Sequence, residues 1–195
     1  MSQEKLQHFL QSTGVINAGQ AQEVAAYFTP RTLLRQELLL RTGQISQEYL
    51  LLTSGYVRAF ACDPEGLEVT TAFTGPGQVA LEVSSFFTRV PSLETIQALT
   101  DCEGWTLTHE QMNQLFHGRP EFREFGRGVL VRGFAALKNR MLEMITTTAA
   151  VRYDRLLAAS PEILQHASLK MVASYLGVTD TSLSRIRKVS SQKEG

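Results

Sequence analysis

"SLKMVASYLGVTDTSLSRIRK", residues 168–188, sets two short helical patterns on either side of one glycine, Gly177. Ser168 is of the type that caps a helix start, where a hydroxyl accepts from an otherwise unpaired backbone N–H. Leu169, Val172, Ala173 and Leu176 then recur at the spacing of one helical face. Ala173 is small at mid-helix, where a crossing helix must come close, and Gly177 suits the left-handed turn that ends the first helix. Val178 follows as a core plug, and Thr179 or Asp180 opens a second helix. Leu183 and Ile186 point this helix inward, while Thr181, Ser182, Ser184, Arg185, Arg187 and Lys188 face outward. Two short helices on a Gly-containing turn, the second polar and basic, form the unit that lays its second helix in the DNA major groove. Hydroxyls near the start of such a helix reach base edges, an arginine grips guanine with two hydrogen bonds, and basic residues farther along neutralise phosphates. The expected DNA-facing set is therefore Ser168, Thr179, Thr181, Ser182, Ser184, Arg185, Arg187 and Lys188. The bland alternative is a terminal helical hairpin with a solvated face.

The surrounding charge favours the DNA reading. Residues 152–195 hold seven basic and four acidic residues against twelve and fifteen in 1–151, so a chain of zero net charge concentrates its positive surplus in this tail. Upstream, a helix over 151–159 stops at Ser160-Pro161, and the thr-rich "TTTAA" at 146–150 weakens helix propensity enough to serve as a hinge. A longer helix follows Pro120 and runs to about Thr147. Its apolar residues Leu130, Phe134, Leu137, Met141 and Met144 are spaced 4, 3, 4, 3, a heptad seam. Two occupants suit that seam: a second copy of the helix, or the rest of the same chain.

Between about Phe28 and Leu107 the pattern changes to short strands separated by turns. Asp63-Pro64-Glu65-Gly66 is a strong hairpin signal between "YVRAFAC" and "LEVTTAF". Ser54-Gly55, Gly75-Pro76-Gly77, Val90-Pro91-Ser92 and Glu103-Gly104 read as further punctuation. Strands this short and closely spaced imply an antiparallel barrel or roll. Residues 4–27 are helical in pattern, with Leu6, Phe9 and Leu10 on one face and a break at Gly19. Thr108 followed by Gln111 is a capping box opening a short helix through Leu115. The expected fold class is α+β: a roll over 1–118, a dimerisation helix over 119–147 and a helix-turn-helix domain over 148–195.

Composition excludes several classes. A hydrophobic fraction of 43% and a charged fraction of 19% fit a folded globular chain rather than a disordered one. No apolar run approaches the ~20 residues that cross a bilayer, and the start of the chain lacks the basic and apolar regions of a secretory signal. Cys62 and Cys102 are isolated, which argues against a disulfide framework or zinc site and for a reducing, cytoplasmic setting. His8, His109, His117 and His166 have no ligand-like spacing, so no metal or haem is expected. No nucleophile elbow, Walker loop or dinucleotide fingerprint is present, and Glu82 and Glu94 stand without an evident carboxylate partner, so an enzyme is not expected.

At these residues the chain resembles the bacterial transcription regulators typified by the catabolite activator protein and the fumarate–nitrate reduction regulator. "YLLLTSGYVRAF" and "DPEGLEVTTAFTGPGQV" resemble the family's cyclic-nucleotide-binding-type roll, and "LKMVASYLGVTDTSLSRIRK" resembles its helix-turn-helix. The resemblance implies a homodimer on double-stranded DNA, a base-reading role for Arg185, a contact with RNA polymerase and an effector in the roll. The family pocket pairs a Gly-Glu with an Arg-Ser or Arg-Thr about ten residues on; here Glu82 is present, but Leu81 replaces the glycine, and Ser92 and Leu93 stand where the arginine and its neighbour belong. Arg89, three residues upstream of Ser92, is either a substitute from the loop or a solvated arginine. Glu82 is either a ribose ligand or a satisfied acid. A phosphate bound there would lose its charge-assisted partner, so cyclic AMP is not the expected effector and no cofactor is implied. "VSSQKEG", at the end of the sequence, is also too short and polar for the β-hairpin wing that family members usually carry.

Two function classes remain. The first is a homodimeric regulator reading a near-palindromic site through the helix at about 180–188. The alternative is a ligand-sensing or protein-interaction module whose helix-turn-helix does not bind DNA. Salt-dependent DNA binding separates them.

Overall fold

The computed structural model describes residues 3–191. Two helices, α1 (Glu4–Gln11) and α2 (Ala18–Ala25), precede the strands β1 (Thr29–Leu33), β2 (Leu38–Leu40), β3 (Glu48–Ser54), β4 (Val57–Cys62), β5 (Glu68–Thr74) and β6 (Val79–Ala80). A short α3 (Val83–Thr88) leads to β7 (Thr95–Ala98) and β8 (Cys102–Thr108). The strands form two four-stranded sheets, β1-β8-β3-β6 and β2-β7-β4-β5, with every pairing antiparallel. The expected hairpin joins β4 to β5. Asp63 Oδ1 accepts from the N–H groups of Glu65 and Leu67 at 3.0 and 2.8 Å, and Gly66 takes the left-handed φ of +82° that closes the turn.

In β3 the run Tyr49-Leu50-Leu51-Leu52-Thr53 is buried at every position, because its sheet is covered on both faces. Leu50 and Leu52 join Leu33, Leu40 and Ile96 inside the roll. Tyr49 and Leu51 join Trp105 and Leu107 in a second core beneath the helices.

Three local expectations change. Glu103-Gly104 is not a turn: Gly104 lies within β8, opposite Leu52 and beside the point where the β3–β8 register shifts. A Cβ there would sit 2.4 Å from Leu51 O, so the close approach of two backbones, not a reversal of the chain, demands the glycine. The break expected at Gly19 falls earlier. Gly14 has φ +73°, and Asn17 caps α2 by accepting from the N–H of Gln20 at 3.0 Å, which places Gly19 in the first turn of the helix. Finally, α3 interrupts the expected series of short strands, since six residues are too few to show a helical period.

After the strands come α4 (His109–Gly118) and α5 (Pro120–Thr146). The Thr108–Gln111 capping box opens α4 as expected, with both reciprocal bonds formed. The amino-terminal turns of α5 dock on the roll through Phe122, Phe125 and Gly126, all buried. Residues 131–139 are exposed without exception, so the middle of α5 stands away from its own chain. The helix breaks at 147–148, within the expected hinge segment: Thr147 is extended, and Thr148 Oγ1 accepts from the N–H of Val151 at 3.4 Å to start α6 (Ala149–Ala159). Then come α7 (Ile163–His166), α8 (Leu169–Tyr175) and α9 (Asp180–Ser191). Tyr153, Ile163, Val172, Ala173, Leu176 and Leu183 form the core of this head. The head leans on β5, where the Thr70 N–H donates to Ser174 Oγ at 3.1 Å and the Phe73 and Tyr175 rings lie 5.0 Å apart. Among the described residues no helix is long and apolar enough to cross a membrane.

Candidate nucleic-acid interface and effector pocket

The helix-turn-helix is assembled by local chemistry. Ser168 Oγ accepts from the N–H of Met171 at 3.3 Å to start α8, Gly177 turns the chain at φ +67°, and Thr179 Oγ1 accepts from the N–H of Ser182 at 3.3 Å to start α9. Of the two residues that could open the second helix, Thr179 supplies the cap. Two of the eight expected DNA-facing residues, Ser168 and Thr179, therefore have their hydroxyls engaged in helix caps.

The rest of that set divides by helical angle. Leu183 is fully buried and Ile186 half-buried, which fixes the inner side of α9. Thr181, Ser184, Arg185 and Lys188, spaced i, i+3, i+4, i+7, are exposed together on the opposite side. Ser182 and Arg187 lie on the flanks. Arg185 and Arg187 form no ion pair with the described residues.

The three expected effector residues are each taken up locally. The carboxylate of Glu82 accepts from the N–H groups of Ser84 and Ser85 at 3.1 and 2.6 Å and thereby caps α3. Arg89 ends α3 in a left-handed conformation, and its guanidinium donates to Ser46 O, Phe86 O and Gln47 Oε1 at 2.7, 3.2 and 2.7 Å. Ser92 is 2% exposed, and its hydroxyl donates to Glu94 O at 2.8 Å while accepting from the Glu94 N–H at 3.0 Å. These bonds close a turn.

A groove of about 480 Å³ runs beside them between the roll and α5. Leu81 and Val83 line it on either side of Glu82, together with Phe87, Phe116 and Phe134, and no charged side chain among the described residues lines it. Burial pushes the ionisation of the Tyr49 hydroxyl upward, so that lining group is neutral. A phosphate in such a groove would be desolvated without a partner.

The heptad residues of α5 are solvent-facing: Phe134 is 68% and Leu137 64% exposed, with Leu130 and Met141 beside them. Val131, Leu142 and Ile145 are exposed as well and broaden the stripe beyond the seam. Their apolar character next to seam positions is the signal that could have found them. Met144 turns toward the head, where a Cβ on Gly177 would lie 2.6 Å from its Cε.

The model of the cyclic nucleotide-binding domain family matches residues 30–119. No curated protein matches the chain by sequence. Among solved structures, CLP, the c-di-GMP-responsive global regulator of Xanthomonas campestris, is similar with a TM-score of 0.70 at 18% identity, over 91% of this chain and 93% of that one. FixK2 from Bradyrhizobium japonicum is similar with a TM-score of 0.72 at 18% identity, over 86% of each chain. The Thermus thermophilus catabolite activator protein is similar with a TM-score of 0.58 at 20% identity, over 95% of this chain and 88% of that one. The chain thus has the fold of the catabolite activator and fumarate–nitrate regulators, with a cyclic nucleotide-binding-type domain over residues 30–119.

Proposed function

We propose that the chain is a homodimeric DNA-binding transcription regulator that lays two α9 helices in successive major grooves of a near-palindromic site, ~34 Å apart. One observation carries this reading: α9 keeps Leu183 buried against α8 while Thr181, Ser184, Arg185 and Lys188 share its exposed side. The fold shared with known regulators and the positive surplus of the tail support it. Arg185, central on that side, reads a base, and Arg187 on the flank holds a phosphate. The apolar stripe of α5 pairs with its symmetry mate, so the roll sets the spacing of the two heads and anything bound there is coupled to DNA affinity. RNA polymerase is the further partner, and catalysis has no part.

The test begins by selecting bound fragments of the source genome at stated salt. Arg185→Ala is expected to cost about 1–3 kcal/mol of discrimination, roughly a 5- to 150-fold loss of preference for the selected site, with little change on random DNA. Arg187→Ala should weaken both alike. Equal losses on specific and random DNA for Arg185→Ala would remove its reading role, and binding without salt dependence would favour an interaction module instead.

Cyclic AMP is not the effector in this scheme, because Leu81 and Ser92 replace the glycine and arginine of the family pocket and Glu82 is committed to α3. Titration calorimetry is expected to give no saturable heat with cyclic AMP up to about 1 mM, and stoichiometric tight binding would overturn the assignment.

A further inference from the structure

Where roll, long helix and head meet, they line a half-open cavity of about 340 Å³. Three guanidinium groups converge on it. Arg140 of α5 donates through Nη2 to Tyr175 O at 2.9 Å and through Nη1 to Thr71 O. Arg152 of α6 donates through Nε and Nη2 to the next carbonyl, Leu176 O, at 3.2 and 2.8 Å, and through Nη1 to Thr147 O at 2.5 Å. The two heads therefore meet on consecutive carbonyls. Arg155, one helical turn beyond Arg152, pairs with Glu143.

The charges do not balance. Three arginines and one carboxylate line the cavity, and among the described residues neither Arg140 nor Arg152 has an acidic partner. The carbonyl ends of α5, α6 and α8 offset this by about half an elementary charge each, which still leaves a positive surplus of about half a charge. Carbonyl bonds orient a guanidinium plane but do not neutralise it, and half-burial of both groups strengthens their pull on an anion. Among the described residues, Arg140 Nε and most of the Arg155 donors have no hydrogen-bond partner.

One wall is aromatic. Phe73 and Tyr175 line the cavity with ring centroids 5.0 Å apart, and Arg140 lies 4.0 Å over the Tyr175 ring. The volume is near the lower end of the ~300–1,000 Å³ typical of small-molecule sites, which suits one ring and one acid group.

From this arrangement we infer that the junction binds a small ring-bearing anion, an aryl carboxylate or aryl phosphate, with its acid group on Arg140, Arg152 and Arg155 and its ring against Phe73 and Tyr175. The site is separate from Glu82, Arg89 and Ser92 and from the apolar groove. It does not require the chain to bind DNA. A ligand here touches all three parts at once, and so favours one placement of the head over others.

Titration calorimetry on the full chain with benzoate, phenyl phosphate, inorganic phosphate and benzyl alcohol tests it. At least one aryl anion is expected to bind about tenfold or more tightly than either inorganic phosphate or the neutral alcohol; which one distinguishes carboxylate from phosphate. Arg155→Gln changes a side chain that is 54% exposed, so the fold should persist, and it is expected to weaken that binding about tenfold. Glu143→Gln removes the one carboxylate and should tighten it severalfold, a sign that loss of a merely structural contact would not produce. Absence of measurable binding by both aryl anions, equal binding of inorganic phosphate, or affinities unmoved by both substitutions would overturn the assignment.

Discussion

Gly104→Ala is expected to destabilise the chain by about 3 kcal/mol or more, a fall of roughly 6–12 °C in thermal midpoint for a protein of this size. The added methyl would lie 2.4 Å from Leu51 O and 2.8 Å from Leu50 Cδ1. The first neighbour is backbone in the adjacent strand and cannot turn aside as a flexible side-chain tip could. Because β8 lies between β1 and β3, a shift of β8 would disturb pairings on both sides. A loss of 3 kcal/mol is a large share of the ~5–15 kcal/mol that holds a typical domain folded. Gly128→Ala supplies the opposite sign. Its Cβ would meet only Thr13 Cγ2 at 3.5 Å and Arg132 Nη1 at 3.8 Å, so in the helix it should stabilise by ~0.8–1 kcal/mol. Chemical denaturation of the two variants checks both signs, and a Gly104→Ala midpoint equal to that of the parent would show that the strands separate freely.

Phe134→Glu should leave the isolated chain folded and abolish the proposed dimer. The side chain is 68% exposed, so little intramolecular packing is lost. In a two-fold interface every position counts twice, and losing the burial of two phenylalanines removes about 3–6 kcal/mol, or roughly 10²- to 10⁴-fold in dissociation constant. Two carboxylates facing one another would add to the loss. Sedimentation equilibrium reads the dissociation constant directly. Affinity for a two-half-site DNA should fall with it, while single half-site binding persists. A Phe134→Glu dimer of unchanged strength would move the interface off the α5 stripe.

How much was legible follows from the range of each interaction. The helix-turn-helix could be read because its determinants lie within 21 residues: the caps at Ser168 and Thr179, the left-handed turn at Gly177, and Leu183 and Ile186 at fixed offsets. The Asp63–Gly66 hairpin was readable for the same reason. Sheet order was not, since β1 pairs Thr29 with Thr106 and nothing local to either residue encodes the other. Gly104 has the ordinary look of turn punctuation, and only the distant Leu51 carbonyl gives it its purpose. Glu82 could be placed by its resemblance to a nucleotide ligand, but its carboxylate serves N–H groups two and three residues away. The guanidinium cluster was beyond sequence reading, because 140, 152 and 155 meet only after the carbonyls of 175 and 176 fold back between them.

One consequence follows from β5. It is the outer strand of its sheet, and the head packs along its free side: the Thr70 N–H, which a neighbouring strand would otherwise satisfy, donates to Ser174, while Arg140 of α5 serves the Thr71 carbonyl. A bare strand edge is a template for pairing with another chain. Any motion that lifts the head fully away would therefore open a route to aggregation. Safe movement must slide or pivot along β5 rather than leave it, which limits how far the head can swing.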